Sequence, residues 1–173
     1  MGYHDAKDLI KWLEYIISKD KEAEILIHGV SMGAATVMIA SSLDNLPQNV
    51  KVIIEDCGYT TALEQFKYQL KKLFNMPSFP ILNIANLMVK IKSGYFLNDA
   101  SPIEAVKEAK VPIMFIHGDD DKFVPFYMLD ELYEACSSEK QKLVIHGASH
   151  AHSEDENPEK YWKEVDAFIN KYI

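Results

Sequence analysis

Arginine is missing from the sequence altogether; all 18 basic residues are lysines. A chain without guanidinium groups has no planar fork with which to hold phosphate or carboxylate through two parallel hydrogen bonds. Its formal net charge is −8, the opposite of the clustered cations that neutralise a nucleic-acid backbone, so no nucleic-acid partner is expected. Cysteine is nearly absent as well. Cys57 and Cys136 are too few for a disulfide scaffold and fit a reducing, cytoplasmic setting. No apolar run is long enough to span a bilayer, and the opening Met1-Gly2-Tyr3-His4-Asp5 does not read as a signal peptide. A length of 173 residues suits one domain, 1–173, with a sizeable core.

The stretch Glu24 to Ser41 organises the rest. An apolar run, Ile25 to Ile27, stops at His28-Gly29, and an Ala-rich helical segment begins at Gly33. Between them lies G-x-S-x-G, realised as Gly29, Val30, Ser31, Met32 and Gly33, in the strand-to-helix setting of a nucleophile elbow. The flanking glycines are expected to relieve crowding at the apex. A dinucleotide fingerprint needs glycine where Ser31 stands, and a P-loop needs Gly-Lys-Ser or Gly-Lys-Thr where Gly33-Ala34-Ala35 stands, so both nucleotide readings fail. Ser31 is thus a candidate nucleophile.

Along the chain, helical spacing predicts helices over 5–18, 32–43, 62–74, 81–91, 102–106, 126–135 and 158–172, with Asp5 placed to cap the first. Apolar runs predict strands over 25–28, 50–55, 111–117 and 143–146. This alternation implies an α/β fold, a mostly parallel sheet of about four strands flanked by helices. Residues 60–99 break the rhythm. They are too long for a simple connection and read as a helical cap or lid insertion whose apolar side chains line a pocket or pack onto the body.

Sites in such sheets form at the carboxyl ends of the strands. Three of these exits carry, in chain order, Ser31, an acid among Asp119, Asp120 and Asp121, and His150. A serine hydroxyl needs a base to take its proton, and an imidazole serves best when a carboxylate fixes its tautomer. Asp56, at the second strand's exit, is the alternative acid. Asp119 and Asp120 read as solvated turn residues, His152 as a rim residue, and His28, His117 and His146 as packing or hydrogen-bonded histidines. Cys57 reads as a small buried neighbour rather than a reactive thiol. His150 and His152 with the aspartates complete no metal set, and no cofactor is expected.

Gly29 to Gly33, His117-Gly118-Asp119-Asp120-Asp121-Lys122-Phe123-Val124-Pro125 and Gly147-Ala148-Ser149-His150 together resemble the three signatures of the α/β-hydrolase superfamily, above all its bacterial esterase and serine-aminopeptidase-like members. The resemblance implies a serine hydrolase of carboxylic esters, with amides or short peptides as alternative substrates. Its H-G-x-x-D-x-x-V-P pattern places the acid at Asp121, and its G-x-x-H pattern places the base at His150. It gives the Met32 N–H to the oxyanion hole. The apolar insertion and the missing arginine point to a small hydrophobic ester or amide. The family's sheet begins with about four further strands, one followed by the loop that supplies a second oxyanion donor. Their absence implies a truncated version of the fold and an edge position for the first strand here. It also implies self-association or a missing N-terminal segment, and leaves open a catalytically impaired remnant that acts as a binding module.

Overall fold

The computed structural model describes residues 1–173. Strands β1 (Ile25–Val30), β2 (Val50–Asp56), β3 (Ile113–Gly118) and β4 (Lys140–Ile145) pair in parallel and in sequential order, so β1 lies at an edge as expected. The helices are α1 (Tyr3–Lys19), α2 (Met32–Ser41), α3 (Ala62–Phe74), α4 (Ile81–Ser93), α5 (Pro102–Val106), α6 (Tyr127–Ala135), α7 (Ser153–Glu156) and α8 (Pro158–Ile169). Asp5 caps α1 from inside its first turn, accepting the Gly2 N–H at 2.8 Å, rather than standing ahead of the helix. The sequence pattern missed two short pieces, a 3-10 turn at Leu97–Asp99 and the four-residue α7. Neither is long enough to show a hydrophobic period.

The period-2 alternation of the strands sorts their side chains onto two faces. Ile53, Ile113 and Phe115 meet a cluster contributed by α1, α2, α5 and α6, whereas Val52, Ile54, Met114 and Ile116 meet Tyr161, Val165 and Phe168 of α8. Helix α2 is apolar all round because it is enclosed by β1 and β2 on one side and by α1 and α5 on the other. The crossover helices α2, α5 and α6 share one face, as parallel neighbours joined with a constant hand require.

The insertion is a helical hairpin. Thr61 opens α3 by accepting the Glu64 N–H at 3.0 Å, and Asn75 closes it in the left-handed region at φ 51°. Gly94, at φ 79°, closes α4. A third cluster, including Tyr59, Ala62, Tyr95, Leu97, Val124 and Met128, seats this hairpin on the body.

Candidate active site

All four strand exits converge on one place. At the β1 exit, Ser31 sits at φ 55° and ψ −112°, a conformation that costs a non-glycine residue on the order of 1–3 kcal/mol. It is held there by its N–H, which donates to the Asp56 carbonyl at 2.8 Å, and by its carbonyl, which accepts the Ala35 N–H at 3.1 Å. The glycines flanking it are not equivalent. A Cβ on Gly29 would stand 2.3 Å from the Gly33 carbonyl oxygen, whereas one on Gly33 would meet nothing within 4 Å. Only Gly29 is demanded by the close crossing of strand and helix.

The structure brings Ser31, His150 and Asp121 into one hydrogen-bonded chain. The Ser31 hydroxyl donates to His150 Nε2 at 2.8 Å, and His150 Nδ1–H donates to Asp121 Oδ2 at 2.7 Å. The acceptor carboxylate fixes the tautomer, leaving Nε2 free to receive a proton. Asp121 Oδ1 accepts the N–H groups of Phe123 and Val124 at 2.7 and 2.9 Å. Burial alone pushes this carboxyl upward, but hydrogen bonds from His117, His150 and the Phe123 N–H outweigh it and hold Asp121 well below the usual carboxylate range. The Phe123 ring lies 4.8 Å from the His150 ring, limiting its swing. Met32 is the first residue of α2, where backbone N–H groups have no intrahelical acceptor and the helix dipole favours negative charge.

Sequence reasoning undervalued several supporting residues. His117 is fully buried, and its Nε2 lies 3.2 Å from both Asp121 Oδ2 and the Val124 carbonyl oxygen, so it braces the same carboxylate oxygen that accepts from His150. The signal was present, since His117 and Asp121 stand four residues apart in the same motif. Asp119 is not a merely solvated turn residue. It accepts His146 Nδ1–H and the Gly147 N–H, both at 2.7 Å, and so ties the β3 exit to the loop that carries His150. These bonds, the one from His146 first, lower its pKa. Gly118 permits the same approach, because a Cβ there would lie 2.2 Å from the Ala148 carbonyl oxygen.

Asp56, the alternative acid, points elsewhere; its Oδ1 accepts the Ser153 hydroxyl at 3.0 Å, and burial raises its pKa. Asp120 pairs with Lys122 and His152 with Asp155, both at the surface. His28 meets the Tyr161 hydroxyl at 3.0 Å. One ligating atom each from Cys57, Asp121 and His150 lies within 4.8 Å of the others, a juxtaposition invisible in the sequence. The Asp121 and His150 atoms are already committed to hydrogen bonds, and burial pushes the Cys57 thiol pKa far up, which disfavours the thiolate a metal would take.

Beside Ser31 opens a cavity of about 490 Å³. Phe66, Leu70, Leu73, Phe74 and Leu82 of the insertion form much of its wall, with Phe123 from the body, and no charged side chain lines it.

The profile of the prolyl oligopeptidase family matches residues 1–173. The chain belongs to that family. This prolyl oligopeptidase family member is 29% identical over 170 residues to the Bacillus subtilis (strain 168) protein YqkD, covering 98% of the chain and 55% of the relative. It is 25% identical over 156 residues to the Arabidopsis thaliana α/β hydrolase domain-containing protein WAV2, covering 87% of the chain and 48% of that protein. The chain thus spans about half the length of these curated relatives. Among solved structures, the Pyrococcus furiosus esterase Pf2001 superposes with a TM-score of 0.70 at 17% identity, covering 99% of this chain and 63% of the esterase. The Pyrococcus horikoshii acylaminoacyl peptidase superposes with a TM-score of 0.67 at 18% identity, covering 98% of this chain and 27% of the peptidase. Similarities at such identities establish the shared α/β-hydrolase fold. No helix is long and apolar enough to cross a membrane.

Proposed function

We propose that this family member is a serine hydrolase of carboxylic esters. The observation that carries the reading is the continuous chain from Ser31 Oγ through His150 to Asp121, at 2.8 and 2.7 Å, on a strained elbow at a helix N-terminus. In this reading His150 Nε2 takes the Ser31 proton as Oγ attacks the ester carbonyl, and Asp121 stabilises the imidazolium that forms. The oxyanion develops against the Met32 N–H. His150 then returns the proton to the departing alcohol, and water attacks the acyl-enzyme by the same steps in reverse. The cavity beside Ser31, walled largely by apolar side chains, suits the apolar portion of a small ester.

Amide or short-peptide hydrolysis is the second reading, supported by the family match and by the fold shared with an acylaminoacyl peptidase. A fluorophosphonate probe tests the first reading. It is expected to label the chain and to leave Ser31→Ala unlabelled; absence of labelling even at high protein concentration rejects the mechanism. Relative turnover of nitrophenyl esters and aminoacyl anilides by the labelled protein separates the two substrate classes.

A further inference from the structure

The outer face of the insertion is not accounted for by the cavity it walls. On α4, Leu82 is buried and the Asn86 side-chain oxygen accepts the Leu97 N–H at 2.7 Å, which fixes the inward side of the helix. Directly opposite stand Ile84, Leu87, Met88 and Ile91, at the i, i+3, i+4, i+7 spacing of a single stripe. They are 58, 55, 51 and 75% exposed. The segment joining α3 to α4 adds Phe79, which is 72% exposed, and Met76. A helix that is apolar on its buried side and again on its outer side is expected to have a partner for each.

Charge identifies the second partner. Residues 62–93 carry five lysines (67, 71, 72, 90 and 92) against one carboxylate, Glu64, a net charge of +4 that leaves −12 for the rest of the chain. No acidic residue occurs between Glu64 and Asp99. Lys90 and Lys92 flank the α4 stripe on its two sides, with Lys90 reaching the Gly94 carbonyl at 2.9 Å. An apolar stripe edged by cations is the pattern of a helix that lies in the plane of a lipid surface, with its apolar face among acyl chains and its cations at the anionic headgroups. At 13 residues α4 is too short to span a bilayer. A parallel two-fold pairing of two copies through this stripe would bring lysines against lysines.

We propose that the α3–α4 hairpin docks peripherally on an anionic lipid bilayer, α4 stripe inward. This binding does not depend on hydrolysis at Ser31, although the same hairpin walls the Ser31 cavity and would set it beside the lipid.

Flotation with vesicles of phosphatidylcholine containing about one-third phosphatidylserine tests the proposal, with far-UV circular dichroism as the check on folding. The chain is expected to float at low salt and progressively less as salt screens the headgroups. The double variant Leu87→Ser/Ile91→Ser, altered only at exposed positions, is expected to partition about a hundredfold less. Lys90→Glu/Lys92→Glu is expected to lose binding to anionic vesicles. Ser31→Ala is expected to float as the parent chain does, which separates this proposal from the hydrolase reading. Absence of flotation, or undiminished flotation of either double variant, overturns it. So does a dimer in light scattering that Leu87→Ser/Ile91→Ser returns to monomer while the vesicles stay bare, since the face then belongs to a second copy.

Discussion

The inequality of the two glycines at the elbow gives a quantitative test of how Ser31 is held. A methyl group added at Gly29 would lie 2.3 and 2.4 Å from the carbonyl oxygen and carbon of Gly33 and 2.8 Å from the Ala34 nitrogen. All three are backbone atoms of the first turn of α2, so no side-chain rotation relieves the contact. Reaching ordinary contact distance means moving β1 and α2 apart by roughly 1 Å. That opens the packing of Ala34 and Val37 against the sheet and costs about 2–3 kcal/mol. For a domain of this size, the corresponding fall in Tm is roughly 5–10 °C. Gly33→Ala meets nothing within 4 Å and gains up to about 0.5 kcal/mol from reduced unfolded-state freedom in a helical position. Thermal unfolding followed by circular dichroism is expected to shift in opposite directions for the two variants. Fluorophosphonate labelling is expected to slow by about a hundredfold for Gly29→Ala, because the displaced hydroxyl no longer meets His150. A Gly29→Ala variant as stable as the parent, or a Gly33→Ala variant that loses as much, would refute the account of the elbow as a single close crossing.

Two further outcomes are expected. Asp121→Asn keeps the acceptor for the Phe123 and Val124 N–H groups but removes the charge that fixes the His150 tautomer, so labelling and ester turnover are expected to fall by about a thousandfold or more, and Tm falls as well because the bonds that hold the Asp121 pKa low stabilise its ionised form in the folded chain. Glu55 is fully buried and raised well above the usual carboxylate range, first by burial and then by Asp56; one oxygen accepts the Gly58 N–H and the other has no partner. A raised folded-state pKa favours the folded state below the unfolded value of about 4.3 and loses that advantage as pH rises. Glu55→Gln is therefore expected to stabilise the chain at neutral pH, by on the order of 1 kcal/mol in denaturant titrations, with the gain vanishing toward pH ~4.

The sheet was legible because its strands are apolar runs ended by glycine or acidic residues, and the long helices because their periods extend over three turns or more. Helix α3 matches the expected 62–74 to the residue, and the structure shows Thr61 and Asn75 closing its two ends. Strand β4 was harder to read. Lys140, Gln141 and Lys142 occupy its polar, half-buried to exposed start at the second edge of the sheet, so only Leu143 onward looks like a strand. In the site, Ser31, Asp121 and His150 were legible because each lies in a short pattern whose spacing is fixed by backbone geometry. The clamps were not. Asp119 to His146 and Ser153 to Asp56 join residues 27 and 97 positions apart, and nothing in a local pattern links them.

Those clamps show where the precision of the site resides. Ser31 is fixed to β2 through the Asp56 carbonyl, Cys57 to β3 through the Ile116 carbonyl at 2.9 Å, and the β3 exit to the β4 loop through Asp119 and the Asp120 N–H, which donates to Ala148 at 3.2 Å. Each strand exit is thus tied to the next across the top of the sheet, mostly by main-chain bonds that side-chain substitution leaves in place. The reach from His150 back to Ser31, across 119 residues, closes a frame whose sides are already set by β-pairing. Strain at Ser31 can persist because it is opposed by this frame rather than by any single contact. Substitutions that loosen the frame, Gly29→Ala among them, should therefore lower labelling rate and stability together, whereas substitutions confined to the hydrogen-bonded chain, such as Asp121→Asn, should cost far more in labelling rate than in stability.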